Sequence, residues 1–159
     1  MSEDLRIKTE PIVAKLSFVG GHWEEVFIYL PEEEGFRSSR LHRLLVFFQD
    51  DSGPFLAVRR QTGGDNVLII RKSLIRWAEF SGTDWLEDED RAGKPCPVGV
   101  SFPSGDKLKG TLYNDLPSHQ QRVLDFMNRS ELYFLLEAAD KVYLVNREAT
   151  SRVDDPPLS

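Results

Sequence analysis

The sequence predicts a mainly β protein with short helices, of the α+β class, laid out as two tandem small barrels related by internal duplication. Three observations predict it. The 159 residues suffice for one ordinary domain or two very small ones, and a 40% apolar content supports a packed core. The chain matches itself in ordered blocks. Each half also reads in the same order: strand, strand, helix, strand, strand, turn, strand.

The blocks run as follows. Leu16-Ser17-Phe18 matches Val100-Ser101-Phe102, Gly21 falls on Gly105, and Ile28-Tyr29 falls on Leu112-Tyr113, all at an offset of 84 residues. Leu30-Pro31 answers Leu116-Pro117. His42 to Phe48 answers Gln121 to Met127 at an offset of 79, and Phe55-Leu56 meets Phe134-Leu135 there too. Val67 to Lys72 meets Val142 to Arg147 at an offset of 75. The offset only shrinks, and it does so in loop positions, as in a duplicated domain whose loops have drifted.

The elements follow in turn. Residues 13–19 and 24–30 are β-rich and flank Gly20-Gly21, a hairpin signal. Leu41, Leu44, Leu45 and Phe48 fall on one helical face. Two strands follow, Phe55–Arg59 and Val67–Ile70, around the turn Gly63-Gly64-Asp65-Asn66, and residues 75–80 close the first half. In the second half, residues 99–102 and 107–113 flank Ser104-Gly105. A shorter helix carries Val123, Leu124, Phe126 and Met127, with Ser118 as its N-cap. Tyr133–Glu137, Lys141–Val145 and residues 151–153 complete the set.

Five short strands in so few residues must curl to protect their edges, which points to a small SH3-like or Sm-like barrel. The boundaries are an N-terminal extension at 1–12, a first barrel at 13–80, an acidic linker at 81–97, a second barrel at 98–153 and a disordered tail at 154–159. The linker carries Asp84 and Glu87-Asp88-Glu89-Asp90 among Gly82, Gly93, Pro95 and Pro97. Units this small bury little surface alone, so the two should share an apolar interface.

The stretch Gly105-Asp106-Lys107-Leu108-Lys109-Gly110-Thr111-Leu112-Tyr113 resembles the second-strand signature of Sm-like proteins, a glycine-turned hairpin with a bend glycine. Arg122 to Asn128, followed by Tyr133-Phe134-Leu135-Leu136, is similar to a pattern in small uncharacterised bacterial β-domain proteins. The resemblance implies the barrel fold. Sm-like proteins also carry a late Arg-Gly or Lys-Gly pair that helps bind RNA. The corresponding turn here is Asn146-Arg147-Glu148, with no glycine.

A net charge of -6 disfavours nucleic acid as the main partner, because phosphate neutralisation supplies most non-specific affinity. No apolar run is long enough for a membrane-spanning helix, and no secretory signal is read at the N-terminus. The single Cys96 makes neither an internal disulfide nor a Cys-rich metal cage. The expectation is a bacterial, cytoplasmic protein. No P-loop, dinucleotide fingerprint or nucleophile elbow appears. His22, His42 and His119 are dispersed without metal-ligand spacing. Cys96, between two prolines, has no framework to lower its pKa. The reading is therefore not an enzyme, with no cofactor and no metal.

Two groups of residues are candidate sites. Arg122, Asp125 and Asn128 are spaced to share one flank of the second helix. They form either a local clasp, with Asp125 accepting from Arg122 and its loss destabilising the fold, or a polar docking face. Arg40, Arg43, Arg59, Arg60, Arg71 and Lys72, with Arg37 and Arg76, form either an anion patch or a solvated surface paired with Glu24, Glu25, Glu32–Glu34 and Asp50-Asp51. Trp77 is assigned to the first core, and Trp85 to docking between the halves. The function expected is a protein-interaction or regulatory module using strand edges or the groove between copies. The alternative is Sm-like RNA or nucleotide binding through the first-repeat arginines.

Overall fold

The computed structural model describes residues 9–31, 39–49, 53–62, 66–83 and 85–158. Arg37, Glu32–Glu34, Asp50-Asp51 and most of the Gly63–Asn66 turn lie outside these residues, as do residues 1–8 of the expected extension.

The chain is mainly β with short helices. β1 (Thr9–Phe18) and β2 (Trp23–Pro31) pair antiparallel from Thr9↔Pro31 to Ser17↔Trp23. Gly21 turns their hairpin at φ +93°, a region glycine enters without a Cβ clash. Helix α1 (Arg40–Gln49) starts at Ser39, whose Oγ accepts from the His42 amide at 3.0 Å. It buries Leu41, Leu44 and Phe48, three of the four residues on the expected face. β3 (Phe55–Arg60), β4 (Val67–Arg71), a 3-10 turn (Lys72–Leu74) and β5 (Ile75–Ser81) finish the first half.

A 3-10 turn (Asp88–Arg91) leads into β6 (Lys94–Ser101) and β7 (Lys107–Asn114). Then come a second such turn (Ser118–Gln120), α2 (Val123–Met127), β8 (Tyr133–Glu137), β9 (Lys141–Asn146), a third turn (Arg147–Ala149) and β10 (Arg152–Asp154). The strands and α-helices come in the same order in the two halves.

All strands join one antiparallel sheet in the order β10-β6-β7-β8-β9-β5-β1-β2-β3-β4. Each half contributes its strands in the same internal order, fifth-first-second-third-fourth. Among the described residues neither half closes on itself by strand pairing. The second edge of β5 is taken by β9, from Trp77↔Val145 to Ser81↔Lys141, so the halves are joined through the sheet itself.

The joint explains why the halves share their apolar interior. Side chains alternate between the faces of a strand. Val142 and Leu144 of β9 enter a core with Ile12, Leu16, Ile28, Phe48 and Phe80 of the first half. Val145 points the other way, into a core with Val98, Val100, Phe102, Phe126 and Phe134, against which Trp77 of β5 packs. The strands at the joint are thus covered on both faces, and Val142–Val145 of β9 read as a continuous apolar run for that reason. Trp77 therefore packs on the second core, at 4.8 Å from the Phe102 ring, rather than completing the first.

Three boundaries differ from the expectation. β1 begins at Thr9, inside the stretch read as an extension. Lys94–Pro97, read as linker, are the first residues of β6, and Cys96 is buried there. Among the described residues β10 pairs only Gly99–Ser101 and leaves the other flank of Lys94–Val98 an open edge, where proline lacks no ladder partner. The tail is not detached either. Asp154 pairs with Gly99, and a side chain at Gly99 would meet Pro157 at 3.6 Å. Ser118 caps no helix at α2. It opens the separate turn before it, and Arg122 holds the N-cap position without a side-chain cap bond.

Candidate interaction surface

The strands of the first half are apolar on both faces. Inward residues Ile12, Ala14, Val26, Ile28, Leu56 and Val58 fill the core. The outward positions should then be polar, yet Val13, Tyr29, Phe55, Val67 and Ile69 all lie exposed there, at 56% for Val13 and 64% for Ile69. Strand register makes them neighbours. Val13 stands opposite Phe27, Phe27 opposite Arg59, Arg59 opposite Val67, Ala57 opposite Ile69 and Phe55 opposite Arg71. A group of neighbouring exposed apolar residues, crossed here by Arg59, marks an interaction surface more often than isolated surface residues do.

Cations lie over the aromatic rings of this face, Lys15 and Arg71 toward its ends and Arg59 between Phe27 and Val67. Lys15 Nζ lies 3.9 Å from the Trp23 ring centroid, the Arg71 guanidinium 4.4 Å from Phe55 and the Arg59 guanidinium 6.0 Å from Tyr29. The outer face of the second half is different in kind, with exposed Lys107 and Lys109 and half-buried Thr111 on β7.

The expected anion patch is not one cluster. Arg59 and Arg71 share the outer face but sit at opposite ends of the β3–β4 ladder, about 13 Å apart at the usual strand rise. Arg60 lies next along β3 and pairs with Glu24 at 3.2 Å. Lys72 is buried in the turn after β4. Arg40 and Arg43 belong to α1, and the Arg40 guanidinium stacks on Trp85 at 4.0 Å. Trp85 in turn donates from Nε1 to the Ser81 carbonyl at 2.9 Å and packs beside Phe80, so it docks on the first half.

Arg122 donates to Asp125 through both Nε and Nη2 at 2.9 Å, which is the clasp. The Arg122 hydrogen bond holds the Asp125 carboxyl below its ordinary range. Arg122 is well exposed, however, and Asp125 keeps 24% of its side-chain surface, so the pair is not the near-core group expected from its apolar neighbours. Asn128 is the C-cap residue, its amide bonding the Leu124 carbonyl at 3.0 Å.

Two polar clusters were not foreseen. Glu137 accepts from Arg91 at 2.9 and 3.2 Å and from the Tyr113 hydroxyl at 2.6 Å. The Arg91 bonds hold its carboxyl below the usual range, and the burial of Tyr113 pushes its phenol up. The second cluster borders the groove between the halves, a cavity of about 190 Å³ lined by Leu45, Gln49, Asp115, Arg129 and Arg147. Arg129 is spoken for by Asp115 at 2.6 Å and Glu131 at 2.9 Å. Arg147, in the turn after β9, donates to the carbonyls of Glu131 at 2.7 Å and Tyr133 at 3.1 Å and lies against the rings of Phe126 and Phe134. Burial pushes its guanidinium down to about 10, still charged at neutral pH. It serves here as a post tying β8 to the turn after β9.

Among the described residues no group of three His, Cys, Asp or Glu side chains could hold a metal ion. Burial pushes the Cys96 thiol up, away from a reactive thiolate. No helix among them is long and apolar enough to cross a membrane.

No family model and no solved structure matches the chain. One curated protein does, immunoglobulin superfamily member 10 of Homo sapiens, at 27% identity over 99 residues. The match covers 54% of this chain and spans 4% of that protein's length.

Proposed function

We propose that the chain is a non-catalytic protein-interaction or regulatory module, built from two Sm-like or SH3-like units related by duplication and working in the cytoplasm. The shared element order and the shared strand order support the duplication. The exposed apolar outer face of β1–β4 carries the functional reading. Its occupant is a protein surface that is largely apolar and carries acidic groups, because Lys15, Arg59 and Arg71 lie on this face of an otherwise acidic chain.

The test is affinity capture after nuclease treatment, comparing wild type with Val13→Asp/Phe55→Asp and with Asp125→Ala. A stoichiometric protein retained by wild type and by Asp125→Ala, and lost by the double variant, supports the reading. Loss on Asp125→Ala alone moves the site to Arg122, Asp125 and Asn128.

The second reading is single-stranded RNA on the same face, favoured by the cation-over-ring pairs at Tyr29 and Phe55, since bases stack on such aromatics. A submicromolar RNA complex at physiological salt (about 8 kcal/mol or more) that weakens in Arg59→Ala/Arg71→Ala would rank it first.

A further inference from the structure

β4 and β10 are the two ends of the sheet, and they are not equivalent edges. β10 is three residues long, and Pro156 and Pro157 follow it closely. Short length and proline are standard ways to blunt an edge. β4 has neither. Its five residues, Val67-Leu68-Ile69-Ile70-Arg71, hold no proline, pair with β3 without a bulge and carry one charge, at the end. Among the described residues no strand covers its outer edge.

The side chains of β4 also leave both faces unfinished. Ile69 and Val67 are exposed on the outer face. Leu68 and Ile70 are only partly buried against the first core, beside a groove of about 470 Å³ lined by Phe18, Val19, Arg60 and Leu74. The chain elsewhere finishes such an edge with another of its own strands, as β9 finishes β5 over five residues.

We infer that β4 pairs antiparallel with β4 of a second copy of this chain, about a two-fold axis at Ile69. That register is the one that uses all five residues of the strand. It places Ile69 against Ile69 and Leu68 against Ile70, branched side chains facing branched side chains on both faces. The lone charge, Arg71, falls opposite Val67 of the other copy rather than opposite its own counterpart. Opposite residues share a face, so Leu68 and Ile70 of the second copy extend the row beside the groove. The interface is isologous, closes at a dimer and leaves Val13, Tyr29 and Phe55 of both copies on one continuous outer face. It is independent of the partner proposed above.

The test is cysteine crosslinking with sedimentation. Opposed residues in an antiparallel pair have Cα atoms about 4.5–5.5 Å apart, inside disulfide range. In this register the two Val67 positions are over ~13 Å apart. The full-length Ile69→Cys protein is expected to crosslink to a dimer in air and Val67→Cys to stay uncrosslinked, the native Cys96 being buried in both. Wild type is expected to sediment as a dimer at about 100 µM chain, and Ile69→Lys, at an exposed site, as a folded monomer. A monomeric wild type at that concentration overturns the inference. So does crosslinking of Val67→Cys as fast as Ile69→Cys, or of Ile69→Cys with Val153→Cys, which would mean head-to-tail assembly. Loss of partner capture by Val13→Asp/Phe55→Asp with the dimer intact would bear on the proposed function alone.

Discussion

Arg76 of β5 places Nη1 2.8 Å from Asp106 Oδ2, so a buried cation of the first half is neutralised by the β6–β7 turn of the second. The same side chain donates to Ser17 on β1 at 2.8 Å and to Ser104 at 2.8 Å, and it lies against the rings of Trp77 and Phe102. One residue therefore ties β1, β5 and the second hairpin together.

Replacing Arg76 with Met keeps the bulk and removes the charge. The expected loss is about 1–3 kcal/mol, the cost of a charged hydrogen bond and its stranded partners. Thermal melting should drop by about 2–4 °C for each kcal/mol lost. Asp106→Asn should cost less, because Asp106 is 57% exposed and water replaces what it loses. The two changes together should fall short of their sum.

Glu137 makes stability depend on acid. Its carboxyl is held below the ordinary 4.5 by the Arg91 hydrogen bond, so the folded protein binds that proton less readily than the unfolded chain. Stability from this group is fully present above 4.5 and is lost as pH falls through the depressed value. Glu137→Gln should cost about 1–2 kcal/mol at neutral pH. Melting curves of wild type and variant should converge as the pH drops below 4.5.

Gly93 cannot carry a side chain. Its φ is +101°, and an added Cβ would lie 2.5 Å from the Asn114 carbonyl oxygen. Gly93→Ala should destabilise by about 1–3 kcal/mol, through strain at that backbone and displacement of the β6–β7 pair. Denaturant unfolding with an unchanged slope is the measurement. Gly21→Ala, with open space around it, should cost less.

A fragment ending at Phe80 loses Tyr133, Val142 and Leu144 from the first core and bares the β5 edge. It also leaves the Lys72 carbonyl without the Tyr133 hydroxyl, 2.6 Å away, and the Ile75 carbonyl without Asn146, 2.9 Å away. Calorimetry should show no cooperative transition. A sharp melt at the wild-type temperature would count against the shared interior.

The strands and α1 were legible because burial imposes a period on them, as at Ile12, Ala14 and Leu16 or at Leu41, Leu44 and Phe48. The start of β6 was not, because Pro95 and Pro97 look like linker residues until an open edge is known to flank them. The Glu137 cluster joins residues 46 and 24 positions apart in sequence, and no local pattern announces such a meeting. The outer face did leave a trace. Val13, Phe27, Tyr29 and Ile69 put apolar residues at both parities of the first-half strands, while Lys107, Lys109 and Thr111 keep β7 of the second half alternating. The scattered arginines misled for the opposite reason. Proximity in sequence put Arg59 and Arg60 together, and the strand sent them to opposite faces.

The strand ladders are uneven in a way that sets where the protein can flex. Between β2 and β3 only Val26↔Arg60 and Phe27↔Arg59 pair, and between β7 and β8 only Thr111↔Glu137. Beside the latter, Gly110 lets the two backbones pass so closely that an added Cβ would meet the Glu137 oxygen at 2.7 Å. The β5–β9 joint, by contrast, is laddered along its length and packed on both faces. The creases therefore run inside each half, and the seam between the halves is the stiff line. Bending under load is therefore expected at the short β2–β3 and β7–β8 ladders before the five-pair β5–β9 ladder.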